Sequence, residues 1–478
     1  MSSATSTGRI DVSRLRSGLD GQVLLPGDDG YDAARSVWNA MVDRRPAVVV
    51  RCASTADVAL AIGYARENGL EVGVRCGGHS ILGSCVPAGG MMVDLSVGLA
   101  EVRVDPRARR AWVQGGAELG ALDRAAQQFG LATTAGNVSH TGVGGLTLGG
   151  GMGWLARQYG LACDNVVSYQ VVTADGATIR ASETEHDDLY WGLRGGGGNF
   201  GVVTEFEFRL HPVGTRALLV DYTFDPADAP SATRRWRDRL GGVPTQAVPF
   251  AWVGTTADTP AVEPHLRGRP VASLGHVWVG DPDEGRQQLL PLVADLGNPV
   301  AEQVRELSYL ALQTMEDDVQ GYGQMRRYFK GHYLRELSDA AIDAFLGRDG
   351  NGDADPAVLP NGSLQGYGGA IADVPNDASA FDQRDTLVEF VASVRWADPA
   401  EDRARMDAAR RSATALEPYA SGAYVNVLSD EGEQGVRRAY GATKLARLAA
   451  LKQRYDPDNV FHLNQNIAPT AEVGAPDG

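Results

Sequence analysis

The chain has 478 residues, 43% of them hydrophobic and 22% charged, which is ample for a sizeable core in two or three lobes. Its formal net charge of −16 argues against a nucleic-acid-binding surface, and no apolar run approaches the ~18 residues of a membrane-spanning helix. The N-terminus shows no secretory-signal pattern, and the four cysteines and eight histidines show neither disulfide-scaffold nor metal-site spacing. We therefore expect a reduced, cytoplasmic protein with no membrane, nucleic-acid or metal partner.

The first clear structural signal is a strand–helix–strand unit. The β-branched run 47–51 predicts a buried strand. Ser54 is placed to cap a following helix, with an acidic residue three positions on, and Gly69 suits the position just past the helix end. A short strand over 71–74 then leads into a loop.

That loop, residues 75–80, reads Arg-Cys-Gly-Gly-His-Ser. Its two glycines permit positive φ and leave backbone N–H groups free to face an anion. His79 follows them as a nucleophilic, titratable side chain held at the turn. Two interpretations stand equally on this loop alone: a cofactor-attachment site, or a tight turn with a solvated histidine.

Two further glycine runs favour the cofactor interpretation. Seven of the fourteen residues 141–154 are glycine, and the segment 195–201 is also rich in glycine. Such runs weaken regular structure unless the backbone must approach something closely. The dinucleotide-binding Rossmann fingerprint fits poorly, because it belongs in a first strand–helix turn with an acidic residue about twenty positions later.

The rest of the chain predicts two different regions. Up to Pro212 the pattern gives short elements, namely hairpins over 102–114 and 167–180, a helix over 119–129 and a strand over 202–210. Beyond it come longer alternating strands at 218–224, 249–254, 271–279, 364–371, 387–395 and 422–427, with helices at 232–240, 285–296, 338–345, 402–416 and 445–454 and a loop at 349–361. This second pattern predicts an antiparallel sheet covered by helices on one face.

Six motifs together resemble the FAD-linked oxidases of the vanillyl-alcohol-oxidase superfamily, in the bacterial type of its berberine-bridge-enzyme-like branch. They lie, in that family's order, at 75–80, 141–155, 159–166, 171–176, 188–208 and 455–467. The resemblance implies an α+β fold with a two-lobed, PCMH-type FAD-binding domain built from both chain ends. Its parts are 1–212 (lobes 47–100 and 101–212) and 441–467, with a substrate-binding domain over 213–440 and a disordered tail over 468–478.

The same resemblance implies FAD bound covalently through one histidine. His79 is the implied 8α-linked residue, and Val138 occupies the position at which some members attach the flavin a second time through cysteine. We interpret Cys163, further along, as a small buried hydrophobe. The other implied FAD-binding residues are Arg75, Gly77, Gly78, Ser80, Thr141, Gly142, Gly144, Gly145, Gly149, Gly153, Asn199, Gly201, Val203, Asn464 and Gln465.

The catalytic base is less well defined by the family pattern. Tyr424 and Asn426 match the family's YxN strand, but Val427 stands where many members have an aromatic residue that is often the catalytic tyrosine. Alternate strand residues share a face, so we predict Tyr424 as the base beside Asn426, its pKa lowered by Lys330.

Three other side chains remain candidates. Tyr367 and Tyr440 are phenols at matching positions, and His140 could orient substrate or assist reaction with oxygen. For each tyrosine the structural alternative is a core residue whose hydroxyl is hydrogen-bonded.

The sequence thus predicts an oxidase that takes a hydride from an alcohol, hemiacetal, amine or activated C–H of a sugar or secondary metabolite and passes the electrons to O2, giving H2O2. Two alternatives remain: a flavin dehydrogenase with another acceptor, and a non-catalytic flavin-binding protein. A peroxide assay under air against a dye-acceptor assay separates the first two. The oligomeric state is expected to be monomer or homodimer.

Overall fold

The computed structural model describes residues 11–259, 262–318, 321–348 and 358–470. The strands of these residues are β1 Gln22–Leu24, β2 Val48–Arg51, β3 Val72–Arg75, β4 Met91–Asp94, β5 Val102–Asp105, β6 Arg110–Gln114, β7 Leu131–Ala132, β8 Val166–Val172, β9 Thr178–Ser182, β10 Val202–Arg209, β11 His211–Pro212, β12 Arg216–Phe224, β13 Ala247–Thr255, β14 Pro270–Val279, β15 Ala301–Ser308, β16 Arg326–Leu334, β17 Asn361–Gly366 and β18 Val388–Trp396.

The α-helices connect and cover these strands. They are α1 Ser13–Gly18, α2 Tyr31–Arg35, α3 Thr55–Glu67, α4 Leu119–Gln127, α5 Val143–Leu148, α6 Ala156–Tyr159, α7 Asp187–Leu193, α8 Ala229–Arg239, α9 Pro282–Val293, α10 Tyr309–Gln313, α11 Asp339–Gly347, α12 Ala370–Asp373, α13 Asp402–Leu416, α14 Gly432–Ala439 and α15 Ala442–Tyr455.

The first sheet has the strand order β1-β2-β4-β3, in which β4 runs parallel to both of its neighbours. Helix α3 crosses from β2 to β3, and the Ser54 hydroxyl accepts a hydrogen bond from the Asp57 N–H at 3.2 Å, as the predicted cap requires. The glycine loop 75–80 therefore begins at the carboxyl end of β3, beside the buried strand β4.

The second sheet is antiparallel, with the order β5-β6-β10-β8-β9. Both predicted hairpins are confirmed, since β5 pairs with β6 and β8 with β9. The chain returns to this region at its far end. There Leu448 and Leu451 of α15 belong to the same apolar cluster as Phe200 and Phe206.

The third large sheet has seven antiparallel strands in the order β15-β12-β14-β13-β17-β18-β16. Helices α8, α9, α11 and α13 cover one face, and the side chains of Leu364, Val388 and Phe390 point toward them. The residues between these, such as Glu389, point to the opposite face because strand side chains alternate. The predicted α+β fold, with a large antiparallel sheet covered by helices, is confirmed.

One strand prediction is wrong at a position that matters for the site. Residues 422–427 were expected to form a strand, but Val425–Val427 is a single 3-10 turn. Only Gly422 bridges to the sheet, opposite Tyr333. Tertiary contacts override the β-propensity of the valines: the Tyr424 hydroxyl accepts a hydrogen bond from the Gly151 N–H at 2.8 Å, which pulls the chain away from the sheet edge.

Other differences are smaller. The strand expected over 364–371 ends at Gly366, because Gly368 and Gly369 adopt positive φ (81° and 57°) and turn the chain. The predicted loop over 349–361 lies largely outside the described residues, as does most of the predicted tail 468–478. In the described part of the chain, no helix is long and apolar enough to cross a membrane.

Candidate active site

A cavity of about 560 Å³ lies between the glycine loops and the uncovered face of the seven-stranded sheet. Its floor comes from the loop after β3, the turn around α5 and the third glycine run. Its roof comes from β16, β17 and β18 with the 3-10 turn Val425–Val427. Residues 461–465, near the carboxyl end, close one side.

The glycines of the floor are required by close backbone packing. A Cβ on Gly77 would collide with the backbone of Gly142, and a Cβ on Gly142 would collide with Gly77. Gly78 adopts a φ of +66°, in the left-handed region that disfavours other residues. A Cβ on Gly145, in contrast, would meet no atom within 4 Å, so that backbone faces open space.

This cradle fits an FAD molecule. The backbone of Gly145 is accessible to a ligand without side-chain obstruction. Buried oxygens of two lining residues, Oδ1 of Asn137 and Oδ1 of Asn464, have no partner in the described part of the chain and would be satisfied by a polar ligand. Among the described residues, no group of three histidine, cysteine, aspartate or glutamate side chains could hold a metal ion.

His79 lies at the edge of the floor, held from both sides. Its ring stacks on Trp38 with centroids 4.8 Å apart and planes 16° apart, and the Arg327 guanidinium lies over the Trp38 ring, 4.3 Å from its centroid. Its Nε2 shares a 2.6 Å hydrogen bond with Nδ1 of His140. Burial, followed by His140 and Arg327, lowers the pKa of His79 to about 3, so the imidazole is neutral.

Most of the residues predicted from sequence do line the cavity. They are Gly77, Gly78, His79, Ser80, Val138, Thr141, Gly142, Gly144, Gly145, Asn199, Gly201, Val203, Tyr424, Asn426, Asn464 and Gln465. Cys163 does not line it and is fully buried, and burial raises the pKa of its thiol, as expected of a small hydrophobe.

Three predicted FAD-binding residues lie outside the lining and support it instead. Arg75 donates hydrogen bonds to the Ala34 carbonyl and, at 3.0 Å, to the hydroxyl of Tyr322. Gly149 packs against the amide of Asn426, and Gly153 leaves no room for a Cβ beside the Ala135 carbonyl.

Three of the candidate catalytic residues also lie behind the lining. The Tyr440 hydroxyl donates to the Gly195 carbonyl at 2.9 Å, which is the core alternative considered for these tyrosines. His140 contacts His79 and is not part of the cavity lining. Tyr367 is buried beneath the roof, where its hydroxyl donates to Oε2 of Glu389 at 2.7 Å.

Tyr424 and Asn426 are adjacent, although not because they share a strand face. The phenol oxygen of Tyr424 accepts a hydrogen bond from Asn426 Nδ2 at 2.9 Å as well as the one from Gly151. The expected lowering of the Tyr424 pKa is wrong: burial, followed by the charge of Glu389, raises it. Lys330 is paired instead with Asp430 and Glu431, at 2.6 and 2.7 Å.

Glu389 is the residue that sequence reasoning missed. It lies in the middle of β18, is 6% exposed and lines the cavity. Burial raises the pKa of its carboxyl to about 7, although the hydrogen bond from Tyr367 opposes the shift. The only signal in the sequence was a lone carboxylate within an apolar strand run, which is equally typical of a solvent-facing strand position because strand side chains alternate.

A cavity with a glycine floor, a neutral histidine and a perturbed carboxylate defines a flavin-dependent redox site. Family models support this definition: residues 46–182 match the FAD binding domain, and residues 423–468 match the model described as berberine and berberine like.

Relatives that match over nearly their whole length support the same assignment. The chain is 31% identical to the uncharacterized FAD-linked oxidoreductase YgaK of Bacillus subtilis, over 94% of this chain and 97% of that protein. It is 30% identical to (R)-6-hydroxynicotine oxidase of Paenarthrobacter nicotinovorans, with the same two coverages. The crystal structure of 6-hydroxy-D-nicotine oxidase from Arthrobacter nicotinovorans superposes with a TM-score of 0.83 at 28% identity, covering 98% of this chain and 100% of that one. The chain belongs to the berberine-bridge-like family of FAD-linked oxidoreductases, and it is an FAD-dependent enzyme.

Proposed function

We propose that the protein oxidises a small molecule at a carbon that carries an N–H or O–H group, with Glu389 as the proton acceptor and O2 as the electron acceptor. FAD, when bound, takes two electrons and a hydrogen from that carbon. The observation that carries the proposal is the Glu389 carboxylate, which is buried and lines the same cavity as the glycine loops.

Glu389 suits a general base better than the tyrosines do. A base works best when its pKa lies near the operating pH, and burial brings the pKa of Glu389 to about 7 while it raises those of Tyr367 and Tyr424. The hydrogen bond from Tyr367 fixes Oε2, so among the described residues Oε1 is left without a protein donor. That oxygen is the one we assign to the substrate proton.

Tyr424 and Asn426 are then positioning groups. The Tyr424 oxygen accepts two N–H hydrogen bonds, so its own proton is available to a third partner. It can donate to a substrate heteroatom in the cavity, and Asn426 holds the phenol in that orientation. This role needs a neutral phenol, which the raised pKa provides.

His79 is the proposed point of covalent attachment to FAD. It lines the cavity, its imidazole is neutral and therefore nucleophilic, and Trp38 and His140 fix its ring. The 2.6 Å bond to His140 occupies Nε2, whereas Nδ1 has only a long contact, 3.4 Å, with the Thr141 hydroxyl among the described residues, so Nδ1 is the nitrogen that we assign to the flavin. Val138 has no nucleophile, and one attachment is expected.

We also propose that residues 1–212 and 441–467 bind FAD and that residues 213–440 supply the substrate-facing side of the cavity, as the sequence predicts. The middle region contributes polar side chains to the cavity, among them Glu389, Gln365, Tyr424 and Asn426. The far end contributes Asn464 and Gln465, next to the third glycine run.

The test is a paired assay on the purified protein with its native flavin. Peroxide release under air is measured against reduction of a dye acceptor without oxygen, over a panel of amines, alcohols and sugars. The proposal predicts peroxide with at least one compound. Turnover with the dye alone would make the protein a dehydrogenase, and a purified protein without flavin would contradict the proposal altogether.

A further inference from the structure

Two side chains of the middle region hold a loop that forms part of the cavity wall. The loop, residues 136–140, belongs to the amino-terminal region. Gln313, at the end of α10, donates from Nε2 to the Gly136 carbonyl at 3.1 Å. Asp317 accepts hydrogen bonds from the N–H and the hydroxyl of Ser139, at 2.9 and 2.6 Å. The position of this wall therefore depends on α10 and on the turn that follows it.

The contact of Gln313 with the loop includes a third group, the carboxyl of Asp123 on α4. Nε2 of Gln313 also donates to Oδ2 of Asp123 at 3.1 Å, and both side chains are 2% exposed. The two acceptors use both amide hydrogens, and this fixes the amide orientation because a flipped amide would set Oε1 against two other acceptors. Oε1 of Gln313 is thus left buried without a hydrogen-bond partner in the described part of the chain.

A proton on Asp123 would satisfy this orphaned oxygen. An ionised carboxylate only accepts hydrogen bonds, whereas a protonated carboxyl has one O–H to donate. While Oδ2 accepts from Nε2 of Gln313, an O–H on Oδ1 can return a hydrogen bond to Oε1. Because an unpaired buried acceptor is costly, this acid–amide pair favours the protonated carboxyl.

The surroundings of Asp123 favour the proton as well. Arg124, the next residue of α4, is exposed and forms no ion pair with it among the described residues, and Tyr309 of α10 is a buried phenol whose own pKa is raised. Strands β5 and β6 turn apolar side chains toward α4, so their charged residues point to the other face, and β7 has no ionisable residue. Burial therefore raises the pKa of Asp123 to about 7.

We propose that Gln313 is a positioning residue for the cavity loop 136–140 and that a proton on Asp123 completes its hydrogen bonds. When Asp123 ionises, Oε1 loses its donor and a charge without a cationic partner is left buried between α4 and α10. Water must then reach the carboxylate, and this loosens α10 against the loop. The inference concerns the FAD cavity and holds for any substrate.

The first test compares urea unfolding of the wild type and of Asp123→Asn from pH 5 to pH 9. Asparagine carries a donor and an acceptor without charge, so it mimics the protonated carboxyl. The folded wild type keeps a proton that the unfolded chain has released, so the ratio of the two folding constants, wild type over variant, should fall about tenfold per pH unit above pH 5 and level off above about pH 7. The same ratio for Asp29→Asn, which neutralises an exposed aspartate, should not change with pH.

Amide hydrogen exchange of residues 136–140 measures the loop itself. Wild type and Asp123→Asn should exchange equally at pH 5.5, and at pH 8.5 the wild type should exchange at least about tenfold faster than the variant. Gln313→Ala should exchange faster than the wild type at pH 5.5, because the hydrogen bond to Gly136 is lost. Gln303→Ala, which removes an exposed amide from β15, should match the wild type.

A ratio of folding constants that stays constant with pH would mean that Asp123 is already ionised in the folded protein, and it overturns the inference. Equal loop exchange in Gln313→Ala and wild type overturns the positioning role. If Asp123→Asn does not fold, the infrared band of protonated carboxyl groups replaces it, recorded in Glu389→Gln so that Glu389 does not contribute. The band is expected at pH 5.5 and should shrink by pH 8.5, and its absence at pH 5.5 contradicts the proposal.

Discussion

At the residue scale, the proposed chemistry depends mainly on Glu389 and His79. Burial raises the pKa of Glu389 and lowers the pKa of His79. It favours the protonated form of the carboxyl and the neutral form of the imidazole. The carboxyl therefore titrates near pH 7, and the imidazole stays neutral, and so nucleophilic, at neutral pH.

The first prediction concerns pH. Glu389 accepts a proton only as the carboxylate, so kcat/KM should fall as pH drops through about 7, the pKa of the free enzyme's carboxyl. The groups facing it, Tyr333, Tyr367 and Tyr424, have pKa values raised above 10 and stay neutral across this range. A series of initial rates from pH 5 to pH 9 measures the profile, and Glu389→Gln should abolish the acidic limb.

The second prediction concerns flavin attachment. His79→Ala should release all flavin on acid denaturation, whereas the wild-type protein should keep it on the peptide that contains His79, as peptide mass would show. His140→Ala should lower the attached fraction, because His79 loses the partner that fixes its ring. His140→Asn can still place a polar atom near Nε2 of His79 and should recover part of the attached fraction. Flavin that remains attached in His79→Ala would contradict the assignment.

At the element scale, the glycine runs were recognisable in the sequence and their individual roles were not. The hairpins, α3 with its Ser54 cap and the long strands follow from local pattern. The 3-10 turn Val425–Val427 does not, because contacts with Gly151 and Leu146, far away in sequence, decide it. Glu389 was overlooked for a related reason: only the assembled sheet shows that its face is uncovered.

Neighbouring glycines give the third prediction. Gly142→Ala would force a Cβ into the backbone of Gly77 and should destabilise the protein by roughly 1–3 kcal/mol, as overpacking does. Gly145→Ala meets no protein atom, so its denaturation midpoint without flavin should match the wild type while its FAD content falls. Urea unfolding and flavin-to-protein absorbance ratios distinguish the two, and equal FAD content in Gly145→Ala and wild type would contradict the proposed cradle.

At the scale of the whole molecule, a buried ion pair in the return segment near the carboxyl end lies against the third glycine run. Lys452 of α15 is fully buried and donates to Asp456 Oδ2 at 2.6 Å and to the carbonyls of Asn199 and Phe461. Through these hydrogen bonds Lys452 joins the return segment, which contains Asn464 and Gln465, to the third glycine run. The cavity is completed only when this return segment is in place.

The fourth prediction follows from that pair. Lys452→Ala leaves Asp456 buried without its cationic partner and should cost roughly 3–5 kcal/mol of the free energy of unfolding. Arg454→Ala, on the same helix, removes an exposed pair with Asp188 and should cost less than about 1 kcal/mol. Similar unfolding curves for the two variants would contradict the role given to the return segment.

The most direct test of the central claim is the rate at which substrate reduces the bound flavin without oxygen, measured by stopped flow in the wild type and in Glu389→Gln with the most reactive compound of the panel. Loss of a general base predicts a rate roughly 10²–10⁴-fold lower, with flavin content unchanged. A rate within about threefold of the wild type would contradict the claim that Glu389 accepts the substrate proton.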